Sequence, residues 1–347
     1  MKKLTLKRSH RRTSEQAPSR ITNETVAEHR ERILAGGRRF KYPIQYARHK
    51  LVINAILITV VALVLLAAIG WWQLYMVQNS SNLMYRLTRI FPLPVASVDG
   101  EMTRFSDYLV RYSGSEYYLS KYDEIKIDSP DGRVQLAHIK RESLNGAEKN
   151  AYATKLARQR NITVTDEDVD QVITQQRKTA NGPISQETYN ASLQQMYNWS
   201  PDDYRLAVRR NILRARVSFA VDEKATHLQE RAGQLIKGNG GDMAKAAAEL
   251  GDVGNGQKAT VKVSGLVHST SLFYGVPVSQ VADLPVDGVS GAIKSTTEDG
   301  YYFVKVLEKN DKQVNFAFIH IPLTEFSKQF DQLRASGKIK EYISVPK

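Results

Sequence analysis

The 347-residue sequence contains no cysteine. This absence excludes disulfide bonds, thiol nucleophiles, a lipid-modified anchor cysteine and the common cysteine-based zinc sites. The motifs G-x-x-x-x-G-K-[ST], G-x-S-x-G and H-E-x-x-H are missing too, and the acidic run TDEDVD lacks the glycine and distal glutamate of a calcium loop. The sequence therefore predicts no metal site and no cofactor.

Charge is balanced everywhere except at the N-terminus. Residues 1–50 hold 14 Lys/Arg against 4 Asp/Glu, whereas the other 297 residues hold 35 against 32. The net charge of +13 thus belongs mainly to one leader segment, and we expect no nucleic-acid partner for the large domains. We interpret residues 1–50 as a basic cytoplasmic tail. Within it we expect residues 1–37 to be solvated and disordered, with binding of nucleic acid or lipid headgroups as the alternative.

A long apolar run follows the tail. Residues 51–70, LVINAILITVVALVLLAAIG, carry no charge, and about 20 such residues are needed to cross a ~30 Å hydrocarbon core as a helix. Three aromatic residues that favour the headgroup layer come next: Trp71, Trp72 and Tyr75. We therefore predict that residues 51–77 cross the lipid bilayer once. The alternative, a cleaved signal peptide, would need small residues where the two tryptophans stand.

The basic residues of segment 38–50 predict which end lies inside the cell. Because Lys and Arg favour the cytoplasmic side of a span, we expect a cytoplasmic N-terminus and extracytoplasmic main domains at the cell membrane. The remaining chain is expected to form a linker, a mainly helical domain, an α+β domain and a C-terminal strand–helix–strand segment that packs on the helical domain. Their predicted bounds are 78–95, 96–215, 216–310 and 311–347.

Helix starts support the helical domain. Thr165 with Asp168, and Ser200 with Pro201 and Asp203, have the spacing of N-terminal caps. The run DSPDG, residues 128–132, is typical of a turn. RVSFAV, residues 216–221, and GYYFVKVLEK, residues 300–309, favour strands. The fold class is thus α+β, with a single N-terminal membrane helix.

Two segments resemble known foldases. ASVDGEMTRFSDYL with LARQRNITVTDEDVDQVI is similar to the N-terminal chaperone region of the SurA and PrsA class of extracytoplasmic foldases. Residues 216–309 resemble a parvulin-type (PpiC-like) prolyl isomerase module, because GDMAKAAAEL and DGVSGAIKSTTEDGYYFVKVLEK match its helix and its closing segment. The resemblance implies a helical SurA-N-like domain, a parvulin-like domain and binding of unfolded or nascent exported polypeptides.

The isomerase site of that family is degenerate in this sequence. Parvulins carry two strand-borne histidines at the base of the site, with a Met and a Phe beside the proline ring. The matching positions here are Val217 or Ser218, Tyr302, Gly275 and Ser279. A phenol does not reproduce the donor and acceptor pairing of an imidazole. His268 is the remaining candidate for catalysis, against a surface or structural role, and for His320 we expect a structural role.

We therefore predict a membrane-anchored chaperone or foldase with a parvulin-like domain that is catalytically inactive. An active prolyl isomerase with a divergent site and a non-catalytic envelope scaffold are the alternatives. Five aromatic residues are candidate client contacts, with a role in the core of the helical domain as the alternative: Phe105, Tyr108, Tyr112, Tyr117 and Tyr118.

Overall fold

The computed structural model describes residues 22–41, 43–123, 125–179 and 181–346, with the backbone alone for residues 36–41 and 43–48. The chain divides into two compact units, one up to Trp71 and one from Trp72 onward. The first unit contains helix α1, Asn23–Lys41, and most of helix α2, Pro43–Tyr75. The 27 residues His49–Tyr75 form a helix that is long and apolar enough to cross a membrane.

The second unit begins with a largely helical part. Its elements are α3 (Asn82–Ile90), β1 (Pro94–Val98), β2 (Glu101–Arg104), α4 (Phe105–Lys121), α5 (Pro130–Gln159), α6 (Asp166–Gln176), β3 (Lys178–Thr179), β4 (Gly182–Pro183), α7 (Gln186–Tyr197) and α8 (Pro201–Val221). The predicted capping boxes at Thr165 and Ser200 are confirmed, because each side chain accepts from the third helical N–H and the Asp there bonds back.

A sheet and further helices complete the unit. They are α9 (Glu223–Gly238), α10 (Met243–Leu250), β5 (Asp252–Gly254), β6 (Gln257–Lys258), β7 (Val261–His268), β8 (Leu272–Phe273), β9 (Val276–Pro277), α11 (Val278–Ala282), β10 (Ile293–Lys294), β11 (Gly300–Lys309), β12 (Gln313–Pro322), α12 (Glu325–Ala335) and β13 (Ile339–Glu341). The main sheet has the antiparallel order β10–β11–β12–β7.

Both faces of the main sheet are buried. Tyr301 and Phe303 pack with α9 and α10 on one face, whereas Tyr302 and Val304 pack with α11 on the other. This arrangement follows from the alternation of side chains along a strand. The edge strand β7 differs, because its Val263 is exposed.

The C-terminus returns to the helical part. Strand β13 pairs with β1, where Ala96 faces Glu341, and Phe326 and Phe330 of α12 share a core cluster with Val98. Strand β12, in contrast, lies in the main sheet between β11 and β7. The prediction that the whole segment 311–347 packs on the helical domain is thus wrong for β12, because its hydrogen-bond partners are strands of the sheet.

Three local predictions are corrected. RVSFAV is not a strand but the last part of α8. The predicted linker contains α3, since its prolines come only after the helix. The run DSPDG begins α5 rather than forming an isolated turn, because Ser129 caps the helix by accepting from the Gly132 N–H at 3.0 Å.

Candidate functional site

Three of the five predicted client-contact residues are buried. Phe105, Tyr108 and Tyr112 of α4 are 1%, 2% and 4% exposed and belong to the core cluster that includes Leu74. The Tyr108 and Tyr112 rings stack with centroids 5.8 Å apart. The assignment of these three residues as client contacts is therefore corrected: they stabilise the helical part from within, and a passing polypeptide cannot reach them.

The other two predicted residues lie at the surface. Tyr117 and Tyr118 are half-buried near the end of α4. Tyr118 stacks on Tyr122 at 5.3 Å and on Tyr197 of α7 at 5.7 Å between ring centroids, and Tyr197 contacts Trp199 at 5.3 Å. We call Tyr122, Tyr118, Tyr197 and Trp199 the aromatic ladder. Its four side chains form a continuous row of ring contacts and are each partly exposed.

The loop between α7 and α8 positions Trp199 at the end of this row. Asn198 ends α7 in the left-handed conformation with φ of 54°, which asparagine tolerates. The indole N–H of Trp199 then donates to the Val110 carbonyl at 2.9 Å. Gly114 allows this approach, because a Cβ there would lie 2.5 Å from the indole nitrogen. The tryptophan is thus fixed by its partners on α4 rather than free to rotate.

A groove of about 560 Å³ opens beside Trp199, between α3, α4 and the start of α8. Its apolar lining includes Ile90 and Val110, and its polar lining residues include Asp203. Asp203 accepts from the Tyr85 hydroxyl, from Arg89 at 3.0 Å and from the Ser200 hydroxyl at 2.6 Å.

The hydrogen-bonding role of Tyr85 on the polar side of this groove is set by its surroundings. Burial raises the pKa of Tyr85, and its hydrogen bond to Asp203 raises it further. The phenol therefore stays neutral and donates. The apolar lining and the hydrogen-bonding groups of the groove suit an extended polypeptide segment.

The predicted isomerase positions do not converge. Val217 and Ser218 lie on helix α8 rather than on a strand, and both are buried. Val217 packs in the cluster of Val98 and Phe330, whereas Tyr302 packs in another cluster on the sheet. The assignment of Val217 or Ser218 to the first histidine position is therefore wrong, because that position requires a strand beside Tyr302.

His268 also lies apart from Tyr302. His268 of β7 faces Gln313 of β12. Tyr302 of β11 faces His320, which lies seven residues further along β12. At about 3.3 Å per residue this is roughly 23 Å. The His268 ring instead shares a hydrogen bond with the Thr270 hydroxyl at 3.0 Å, which supports a local structural role.

Gly275 and Ser279 remain near the sheet face that contains Tyr302. Gly275 has φ of +77°, and a Cβ there would meet the Ser295 hydroxyl at 2.3 Å. The backbone therefore requires glycine at this position. Ser279 is half-buried on α11.

The residue beside Tyr302 is His320, which sequence reasoning treated as structural. Their rings stack with centroids 4.6 Å apart. The Tyr302 hydroxyl donates to the Asp299 carboxylate, and the His320 Nε2 lies 3.2 Å from the same carboxylate. Burial raises the pKa of Asp299, but the hydrogen bonds from His320 and Tyr302 outweigh burial and the pKa is lowered.

Tyr302 is the buried member of this polar cluster, whereas the side chains of His320 and Asp299 are 25% and 37% exposed. Tyr302 is 1% exposed, and its ring contacts Phe318 at 5.7 Å. Burial and the hydrogen bond to Asp299 raise the pKa of Tyr302, so the phenol is neutral at physiological pH. Tyr302 thus packs as part of the core on this face of the sheet. Among the described residues, no group of three or more His, Asp or Glu side chains is arranged to hold a metal ion.

The predicted membrane-interface residues divide in two. Trp71 and Trp72 have exposed rings. Tyr75 packs edge-on against Phe105 at 5.1 Å and donates to the Pro94 carbonyl at 2.7 Å, so it packs within the second unit, to which all three residues belong. Sequence reasoning missed Trp199 and Tyr197, although a tryptophan directly before the Ser200 cap was a local signal that could have pointed to them.

Comparison with known proteins supports one part of the chain. The model of the SurA-like N-terminal domain family matches residues 44–218, about half of the sequence. The match runs from the apolar helix to α8 and includes the groove and the aromatic ladder. No curated protein and no solved structure matches the chain.

Proposed function

The chain belongs to the SurA-like N-terminal domain family, and from that premise we propose that it is a membrane-anchored chaperone that holds non-native exported polypeptides. The family assignment indicates a chaperone-type extracytoplasmic protein. Anchoring, client binding and the inactivity of the parvulin-like part are our proposals. They are supported by the apolar helix, by the groove with its aromatic ladder, and by the burial of Tyr302.

The anchor is helix α2. Its segment His49–Tyr75 has the length and composition of a span, and the basic residues of segment 38–50 precede it. The N-terminus would then be cytoplasmic and the second unit extracytoplasmic. A tether of this kind raises the local concentration of the chaperone where exported chains emerge.

The observation that carries the proposal is the row of partly exposed rings that ends at the groove. Tyrosine and tryptophan offer large apolar surfaces at a low cost in conformational entropy, and a polar tip that can hydrogen-bond. An extended client segment would place apolar side chains against Tyr118 and Tyr197 and a further side chain in the groove beside Trp199. Such contacts are weak and tolerant of sequence, as a chaperone requires.

The decisive experiment is suppression of aggregation. The full chain in lipid nanodiscs is mixed with a chemically unfolded test protein, and light scattering is followed. We expect the wild type to slow aggregation and the double variant Tyr118→Ala/Tyr197→Ala to lose most of this effect. Tyr274→Ala is the matched control, because Tyr274 is an exposed tyrosine on the sheet part, 63% accessible.

Two results would contradict the proposal. Equal activity of the double variant and the Tyr274→Ala control would show that the aromatic ladder is not the client surface. A wild-type chain that neither slows aggregation nor crosslinks to nascent exported chains would replace the chaperone with a non-catalytic envelope scaffold.

One observation favours a second function, prolyl isomerisation at a divergent site. Tyr302 and His320 face each other on adjacent strands, which resembles the two strand-borne histidines of parvulins. We propose that this site is inactive because Tyr302 is buried. The test is cis-to-trans conversion of X-Pro peptides, and a rate increase that His320→Ala abolishes would establish the enzyme instead.

A further inference from the structure

Helix α3 has its apolar side turned outward. Leu83 and Ile90 are 70% and 72% exposed, whereas Tyr85 and Thr88 are buried. Residues 83 and 90 are seven positions apart, nearly two full turns, so they share one side of the helix. Tyr85 and Thr88 lie on the opposite side. A helix of a soluble domain normally shows the reverse pattern.

Further exposed apolar side chains come shortly before and directly after α3 in the sequence. Met76, Val77 and Phe91 are 60%, 48% and 58% exposed. Scattered single residues of this kind are ordinary on a protein surface. Here they flank a helix that already exposes Leu83 and Ile90, and such clustering is typical of an interaction surface.

The chain folds back between α2 and α3. The Val77 N–H donates to the Trp72 carbonyl at 3.1 Å, and the Asn79 N–H donates to the Gln73 carbonyl at 2.9 Å. The Asn79 side chain also bonds to that of Gln73 at 3.0 Å. These bonds hold Asn79, which lies just before α3, against the last turn of α2, where the candidate span ends. If the span ends at Tyr75, the headgroup layer lies at the level of the last turn of α2.

The charge of α3 suits anionic lipid. Arg86 is exposed and lies beside the outward side of the helix, between Leu83 and Ile90 in sequence. Arg89 is partly neutralised by its ion pair with Asp203. An arginine beside a row of apolar side chains is the composition of a helix that lies in the plane of a membrane surface.

We propose that the outer face of α3, formed by Leu83 and Ile90 with Arg86, binds the headgroup layer of the leaflet at which the span ends, with a preference for anionic lipid. This inference rests on the anchoring part of the proposed function and adds a second membrane contact to it. Because Ile90 and Arg86 also line the groove, the groove opens at the membrane surface. Client segments would then be met as they leave the bilayer.

The absence of cysteine makes the test direct, since one introduced thiol can be labelled alone. Ile90→Cys is labelled with an environment-sensitive fluorophore in the full chain, which is placed in nanodiscs of phosphatidylcholine and phosphatidylglycerol with brominated acyl chains. Val263→Cys, on the exposed edge strand β7, is the matched control. Leu63→Cys, within the candidate span, reports on insertion of α2.

We expect the label at position 90 to lose roughly half of its emission, because interfacial helices bury their apolar side about 5–10 Å into the headgroup and acyl boundary. The label at position 63 should be quenched more strongly and the label at position 263 should keep its emission. Adding Arg86→Glu should reduce quenching at position 90, whereas adding the control Lys258→Glu should not.

Each contrary result has a distinct meaning. Quenching at position 63 without quenching at position 90 overturns the inference and leaves the anchor in place. No quenching at position 63 overturns both the inference about α3 and the proposal that α2 is a membrane anchor. A blue shift at position 90 that grows with the number of chains per disc, without quenching, identifies a second copy as the partner and also overturns the inference. Aggregation suppression is measured separately, so loss of client binding is distinguishable from each of these results.

Discussion

Neutralising Glu148 should remove a large part of the pH dependence of folding. Glu148 lies on α5 with its side chain fully buried. Its Oε2 accepts from Arg334 of α12 at 2.6 Å, and within the described residues its Oε1 has no hydrogen-bond partner. Burial raises the pKa of Glu148 from 4.5 to about 7, against the opposing effect of Arg334. The perturbation is Glu148→Gln.

The pKa values fix the sign and the size of the effect. Between pH 4.5 and about pH 7 the folded chain keeps the Glu148 proton, whereas the unfolded chain releases it. Stability from this group is therefore fully present below pH 4.5 and is lost as the pH rises to about 7. A difference of about 2.5 pKa units corresponds to about 3 kcal/mol.

Glutamine stays neutral at every pH, so the variant should lack this loss. At pH 8 the free energy of unfolding that the variant gains over the wild type should fall short of that value by about 1 kcal/mol or more, because the charged hydrogen bond to Arg334 becomes a neutral one. Urea unfolding of the full chain in detergent, followed by tryptophan fluorescence, measures the free energy of unfolding at a series of pH values. Glu142→Gln, an exposed carboxylate on the same helix, is the control. A Glu148→Gln profile parallel to wild type from pH 4 to pH 8 would refute the reasoning.

Three further substitutions test the packing. Ser200→Ala removes the N-cap of α8 and should cost about 1 kcal/mol of unfolding free energy, measured by urea titration; no loss would show that the cap is redundant. Gly300→Ala should cost more than about 2 kcal/mol, because φ is +135° and a Cβ would lie 2.1 Å from the Ile321 carbonyl oxygen; a normal melting temperature would contradict this geometry. Tyr302→Phe should cost about 1–3 kcal/mol through loss of the bond to Asp299, and unchanged stability would mean that this bond contributes nothing.

Local signals in the sequence were sufficient for elements whose structure depends on neighbours in the chain. The caps at Thr165 and Ser200 and the strand β11 all form as expected. Caps and alternation act over a few residues, so they are visible before any tertiary contact is known. RVSFAV is different. Val217 and Val221 pack in one cluster and Phe219 packs against another, so α8 buries apolar residues on two sides and its pattern resembles that of a strand.

The sequence by itself determined the basic leader, the apolar helix, the absence of thiol chemistry and the resemblance of the helical part to its family. Only the tertiary structure decided which aromatic residues are accessible. Phe105 and Tyr118 lie on the same helix, and one is in the core while the other stacks at the surface. The pairing of Tyr302 with His320 likewise depends on β12 joining the sheet. Burial and partner choice are set by contacts between residues far apart in the chain, which no local pattern encodes.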